Sequence, residues 1–217
     1  MGYVIPTNYE LEFEPLFNNF TFNGIEIITV NLQRSTDLII LDAAELKIKN
    51  CHIIQGKKII AAKPSLNEKD EKLTIKLAKK IKGKAKLCIE FTGILNDRLL
   101  GFYKSQYKDN RGKIKYLATT QFEAADARRA FPCWDEPAVK ATFDISLLVD
   151  KHLDAISNMP IISKKTVDSK ILYKFGRTPI MSTYLLYLGV GEFEYLHGKL
   201  RNIKIRIVTT KGNKNKG

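Results

Sequence analysis

The chain has 217 residues, 44% of them hydrophobic and 27% charged, which excludes an intrinsically disordered polymer and leaves ample material for a core. Lys and Arg number 36 against 23 Asp and Glu, a formal net charge of +13. The longest stretch without a charged residue, Thr178–Gly191, has 14 residues, which excludes a membrane-spanning helix.

From the N-terminus, MGYVIPTNYE has neither a basic nor an apolar leader region, so no secretory signal is expected. Tyr9, Leu11 and Phe13 then alternate with Glu10, Glu12 and Glu14, the pattern of a half-buried strand. Apolar runs follow at Ile25–Leu32, Leu38–Leu41, Cys51–Ile54 and Ile59–Ala62. Leu73, Ile75 and Leu77 mark one short strand, and Leu87, Ile89 and Phe91 another. Beyond the middle of the chain come Phe143–Val149, Tyr184–Val190, and Ile203, Ile205 and Ile207. Turn signals stand at Asn23-Gly24, Asn50, Gln55-Gly56, Asn96-Asp97, Asn110-Arg111-Gly112 and Asn158-Met159-Pro160. This spacing predicts a sandwich or saddle of packed sheets. One short helix is expected, over Glu123–Ala130, ended before Pro132. The fragment GVGEFE (Gly189–Glu194) lacks the third glycine of a dinucleotide fingerprint and reads as a strand end.

The charge is concentrated. Residues 57–86 hold eleven Lys against Glu68, Asp70 and Glu71, a net of +8. Such a stretch invites a nucleic-acid reading, but it holds no aromatic and no Arg for stacking or bidentate contacts. A solvated edge or hairpin, whose lysines discourage edge-to-edge pairing, is the plainer expectation. Cys51, Cys88 and Cys133 are far apart and odd in number, which points to a reducing, cytoplasmic setting. His52, His152 and His197 have no metal-ligand spacing, and no hydrolytic constellation is complete. Cys133, between Pro132 and Trp134, reads as a packed turn rather than a nucleophile.

The segment TTQFEAADARRAFPCWDEPAVKATF, residues 119–143, is unlike the rest. If extended, it puts Gln121 and Glu123 on one face and Phe122 on the other. A carboxylate beside an amide suits a cationic ligand. A hydrogen-bonded polar pair near a helix N-terminus, where the dipole favours a Glu, is the plainer reading of the residues by themselves, and the cation site stays open beside it.

TTQFEAADARRAFPCWDEP closely resembles the signature in the N-terminal domain of family M1 zinc aminopeptidases, the aminopeptidase N and puromycin-sensitive group. Pro6-x-x-Tyr9-x-Leu11, Phe22-x-Gly24, Gly101–Ser105 and Lys140–Phe143 resemble further family segments, so the likeness runs through nearly the whole chain. The resemblance implies an all-β fold, a saddle-like antiparallel β-sandwich of several packed sheets. It implies a β-saddle domain over residues 1–210, with 211–217 beginning a linker to an absent catalytic domain. Its function would be to anchor the amino terminus of peptides for a zinc metalloaminopeptidase. Glu123 would bind the free α-ammonium, and Gln121 would line the first side-chain pocket. Arg128, Pro132, Cys133, Asp135, Glu136 and Pro137 match the signature as structural residues. The family's GxMEN and HExxH motifs are absent from this chain. So no catalytic residue and no metal ligand is expected in it, zinc belongs to the parent enzyme, and the chain alone is expected to be inactive. Expected partners are peptides and the enzyme's own catalytic domain, with no nucleic acid and no membrane. The competing expectation is a non-catalytic basic β-sandwich that binds an acidic protein or nucleic acid.

Overall fold

The computed structural model describes residues 3–216. Tyr9, Leu11 and Phe13 are buried while the glutamates between them are half-buried, and that alternation builds β1 (Val4–Leu16). Next come β2 (Thr21–Asp42), β3 (Lys47–Gln55), β4 (Lys58–Asn67) and the 23-residue β5 (Lys72–Ile94). After them follow β6 (Gly101–Lys108), β7 (Ile114–Gln121), β8 (Thr142–Asp150), β9 (Asp154–Ser157), β10 (Ile161–Val167) and β11 (Lys170–Phe175). The chain closes with β12 (Leu188–Gly191), β13 (Phe193–Leu200) and β14 (Ile203–Thr210).

Eight strands form one sheet in the order β10-β11-β8-β1-β2-β5-β3-β4. A four-stranded sheet, β6-β7-β12-β9, packs against it, and β13-β14 form a separate ribbon. This is the expected all-β fold of several packed sheets. The pairings are antiparallel, with one departure: β1 and β8 run parallel, Asn8 opposite Thr142 through Phe13 opposite Leu147. The connection between them takes in all of β2–β7 and the signature, long enough for a parallel crossover.

One core joins the sheets. The Phe13 ring lies 6.0 Å from Phe22, 6.2 Å from Phe91, 5.8 Å from Phe102 and 6.2 Å from Phe131. Phe13, Phe22 and Phe91 belong to the large sheet, Phe102 to the small one, and Phe131 to the signature. The edge-to-face geometry of several of these pairs fits dense aromatic packing. Into this core β2 also sends Glu26, fully buried, with neither carboxylate oxygen hydrogen-bonded. Burial holds its carboxyl well above the usual carboxylate range.

Three expectations are corrected. Asn23-Gly24 is not a turn but the interior of β2, and Asn50 lies inside β3 beside a register shift. Gly24 serves close approach instead: a Cβ there would meet the Phe91 ring at 2.3 Å. The helix over Glu123–Ala130 is only a 3-10 turn, Ala127–Arg129. Both arginines of that turn are drawn into ion pairs with carboxylates of β2, the β2–β3 loop and the β4–β5 turn, and those long-range pairs outweigh local helix propensity. Of the eleven lysines in residues 57–86 only Lys58 and Lys63 lie on the edge strand β4; seven lie exposed on β5, inside the sheet order, where Lys72 pairs with Asp42, Lys76 with Asp37 and Lys86 with Glu10. The stretch is thus a solvated β4–β5 hairpin, and a lysine-bearing sheet edge only at β4.

Candidate functional site

Along β7 the alternation carries into the signature. Ala118, Thr120 and Phe122 are buried, whereas Gln121 and Glu123 are exposed. Phe122 is pinned by Phe131, ring centroids 6.1 Å apart. This anchor turns the Gln121 and Glu123 side chains together onto the wet side, as the spacing predicts. The Glu123 backbone N–H donates to Gln121 Oε1 at 3.2 Å, which ties the two residues locally. The peptide bond after Glu123 is cis. The N–H of Asp126 then returns to the Phe122 carbonyl, 3.0 Å, closing the turn.

The next residues lock this turn to the large sheet. Arg128 Nε donates to Asp135 Oδ2 at 3.1 Å, and its Nη1 donates to Glu71 Oε2 at 3.1 Å and lies 3.7 Å from Asp42. Asp135 also accepts from Thr183 Oγ1 at 2.8 Å, and its own N–H donates to Asp42 Oδ2 at 3.0 Å. Asp42 and Cys133 exchange backbone hydrogen bonds of 2.7 and 3.0 Å. Arg129 pairs with Asp126 at 2.9 Å, Glu71 at 2.7 Å and Glu45 at 2.5 Å. Desolvation opposes the charge of Arg128, but Asp135, Asp42 and Glu71 more than offset it and raise its pKa. The Cys133 thiol is wholly buried, and burial first, then the carboxylates of Asp135, Glu26 and Asp42, push it up; this is no nucleophile.

Among the described residues Glu123 enters none of these ion pairs, although Asp126, Arg128, Arg129 and Asp135 around it all do. Sequence reasoning brought Gln121 and Glu123 to one face. It missed their neighbour Tyr187, whose hydroxyl accepts from Thr119 Oγ1 at 3.2 Å, two residues back along β7. No local pattern reports a contact across 68 residues. A cleft of about 940 Å3 lies elsewhere, lined by Leu46, Ile94, Arg98 and others, and Gln121 and Glu123 are outside it on open surface. Among the described residues no group of three or more His, Cys, Asp or Glu could hold a metal ion, so the described residues do not fit a zinc site. No described helix is long and apolar enough to cross a membrane.

The domain is all-β, its signature is clamped by ion pairs, and Glu123 stands outside those pairs beside Gln121. The family model for the peptidase M1 N-terminal domain matches residues 5–185, and the chain belongs to that family. It is 41% identical to a puromycin-sensitive aminopeptidase of Caenorhabditis elegans over 98% of this chain and 23% of that protein. It is 39% identical to aminopeptidase M1 of Arabidopsis thaliana over 99% of this chain and 25% of that protein. It is 38% identical to the mitochondrial aminopeptidase 2 of Saccharomyces cerevisiae over 99% of this chain and 23% of that protein. The chain thus spans about a quarter of the length of the curated relatives it matches.

Proposed function

We propose that this chain anchors the amino terminus of peptide substrates for a larger zinc aminopeptidase, with Glu123 as the anchor. The observation that carries this is the exposed Glu123 carboxylate, outside the ion-pair lattice that engages its acidic and basic neighbours, set beside Gln121. An exopeptidase must count from the chain end, and a fixed carboxylate marks that position. The α-ammonium of the peptide would donate to the Glu123 carboxylate. The Gln121 amide, its oxygen engaged by the Glu123 N–H, would present its NH2 toward the first side chain. An open surface suits this role, because the facing wall of the site would come from the catalytic portion of the parent. Zinc would be held there too, where it would supply an activated water. This chain contributes binding and orientation only. Residues 211–217 would start the linker to that portion.

Substrate discrimination by the parent enzyme tests the proposal. A free-amine aminoacyl substrate should be cleaved about a thousandfold or more faster than its N-acetylated analogue, since an acetylated nitrogen leaves the anchor unpaired. Gln121→Ala should preserve that discrimination and change the preference between small and large amino-terminal side chains by about tenfold. Equal cleavage of blocked and free substrates would exclude amine anchoring.

A further inference from the structure

The outer face of the four-stranded sheet continues beyond Gln121. Along β7 the next side chain on that face is Thr119, about 7 Å further on. The register sets Thr119 between Tyr103 of β6 and Gly189 of β12. Gly189 has no side chain, and Tyr187 takes the space. A Cβ at position 189 would meet the Tyr187 hydroxyl oxygen at 2.8 Å and two of its ring atoms at 3.2 Å. The Tyr187 phenol thus lies over β12 and accepts the Thr119 hydroxyl at 3.2 Å. Its backbone is held at both ends: the Tyr187 N–H donates to Asn158 Oδ1 and its carbonyl accepts from Ser157 Oγ, each at 2.8 Å. The ring is fixed and still 39% exposed. On the other side of Thr119, Tyr103 is half-buried, and burial first, then the Tyr187 phenol, raises its pKa. Two phenols therefore flank one threonine, one side-chain row along from Gln121.

We propose that Tyr103, Thr119 and Tyr187 form a subsite for the third side chain of the peptide substrate, favouring an aromatic or large aliphatic group there. This rests on the reading above that Glu123 takes the amino terminus and Gln121 the first side chain. Those two positions give a bound peptide a direction along β7, from Glu123 toward Thr119. In an extended peptide the first and third side chains share a face about 7 Å apart, with the second on the opposite face. Gln121 and Thr119 have that same spacing, so a first side chain on Gln121 sets the third over the two phenols. Fixed aromatic rings offer large apolar contact area and an offset or edge-on fit to another ring. The row carries no formal charge, so a charged third side chain would lose water there without gaining a counter-charge. The domain then reads a peptide past its amino terminus, at a point where a single aminoacyl compound makes no contact.

Steady-state kinetics of the full-length parent on two tetrapeptides, Leu-Ala-Phe-Ala and Leu-Ala-Gly-Ala, tests this. The ratio of kcat/KM for release of the first residue, Phe peptide over Gly peptide, should be about tenfold in the wild type. Tyr187→Ala should reduce the ratio to about twofold or less. Tyr187→Phe keeps the ring and drops only the hydrogen bond from Thr119, so it should retain most of the ratio. Reading a ratio separates the subsite from a general loss of folded enzyme, which lowers both peptides alike. A ratio near one in the wild type would overturn the proposal. So would a ratio that survives both Tyr187→Ala and Tyr103→Ala, which would assign the preference to residues outside this domain. Glu123→Gln should lower both peptides together and keep the ratio. A failed anchor would therefore show as unchanged rates in Glu123→Gln, and a failed subsite as a missing ratio in the wild type.

Discussion

Arg128→Ala should destabilise the domain by about 3–5 kcal/mol, because it leaves two buried carboxylates without their shared counter-charge. The Asp135 side chain is 1% exposed and the Asp42 side chain 6%. Their attraction to Arg128 offsets a desolvation cost that remains when the guanidinium is removed. Lys72 still reaches Asp42, but Asp135 keeps only the Thr183 hydroxyl as a side-chain donor. Arg128→Lys should recover part of the loss, since it restores charge but not the planar fork that spans Asp135 and Glu71. Arg177→Ala is the control. Its pair with Asp144 is on the surface, with the Arg177 side chain 62% exposed, and its loss should leave the urea midpoint nearly unchanged. Urea titration of the three variants measures the differences. Equal midpoints for Arg128→Ala and Arg177→Ala would show that the lattice does not hold the signature in place.

Glu26 should act in the opposite direction. Its carboxyl is fully buried with no partner at either oxygen, and folding at neutral pH requires it either to take up a proton or to bury a charge. Glu26→Met, close in shape and without the polar atoms, should stabilise the domain by about 2–4 kcal/mol at neutral pH. The pH dependence has a definite sign. In the unfolded chain the group ionises in the ordinary glutamate range, whereas in the folded chain burial keeps it protonated to higher pH. Its contribution is therefore most favourable below the unfolded pKa and declines as pH rises toward the folded one, by about 1.4 kcal/mol per pH unit across that interval. Glu26→Gln should remove this slope but gain less stability than Met, because it keeps an unpartnered amide in the core. Tyr9, Cys51 and Cys133 feel the same carboxyl through space, and burial dominates the upward shift of each. The Cys51 thiol stands at about 12. A wild-type chain whose stability rises from mildly acid to neutral pH as steeply as that of Glu26→Met would show that the carboxyl has an undetected partner.

The sheet was legible where alternation was strict and hidden where polar residues interrupt a continuing strand. Tyr9, Leu11 and Phe13 announce β1 because their glutamate neighbours face water. By contrast β2 absorbs the polar stretch between Leu32 and Leu38 as a bulge, in which Thr36 Oγ1 accepts the Leu38 N–H at 3.0 Å. The same interruption reads from the sequence as a strand boundary. Leu73–Leu77 and Leu87–Phe91 likewise fuse into one β5, because the lysines between them lie along the outer part of a strand that still pairs with β2 at Ile81, Gly83 and Lys84. Asn23-Gly24 misled for a different reason. The glycine answers an aromatic ring on the neighbouring strand, and local turn statistics do not contain that information. At the candidate site, the Gln121–Phe122–Glu123 alternation was fully legible. The clamp around it was not, since Glu45, Glu71 and Asp42 reach Arg128 and Arg129 across 57 to 86 residues of sequence, distances that leave no periodic trace.

The most direct test of the account is the effect of Glu123→Gln in the full-length parent enzyme. The substitution removes the charge and keeps the shape, and the exposed side chain adds little to packing. An ammonium–carboxylate hydrogen bond contributes about 1.5–3 kcal/mol, so kcat/KM on a free-amine substrate should fall roughly ten- to a hundredfold. The already low rate on the N-acetylated analogue should not change, and neither should the urea midpoint. Efficiency on the free-amine substrate within about twofold of wild type would contradict the anchoring role and reduce Glu123 to a turn-forming carboxylate.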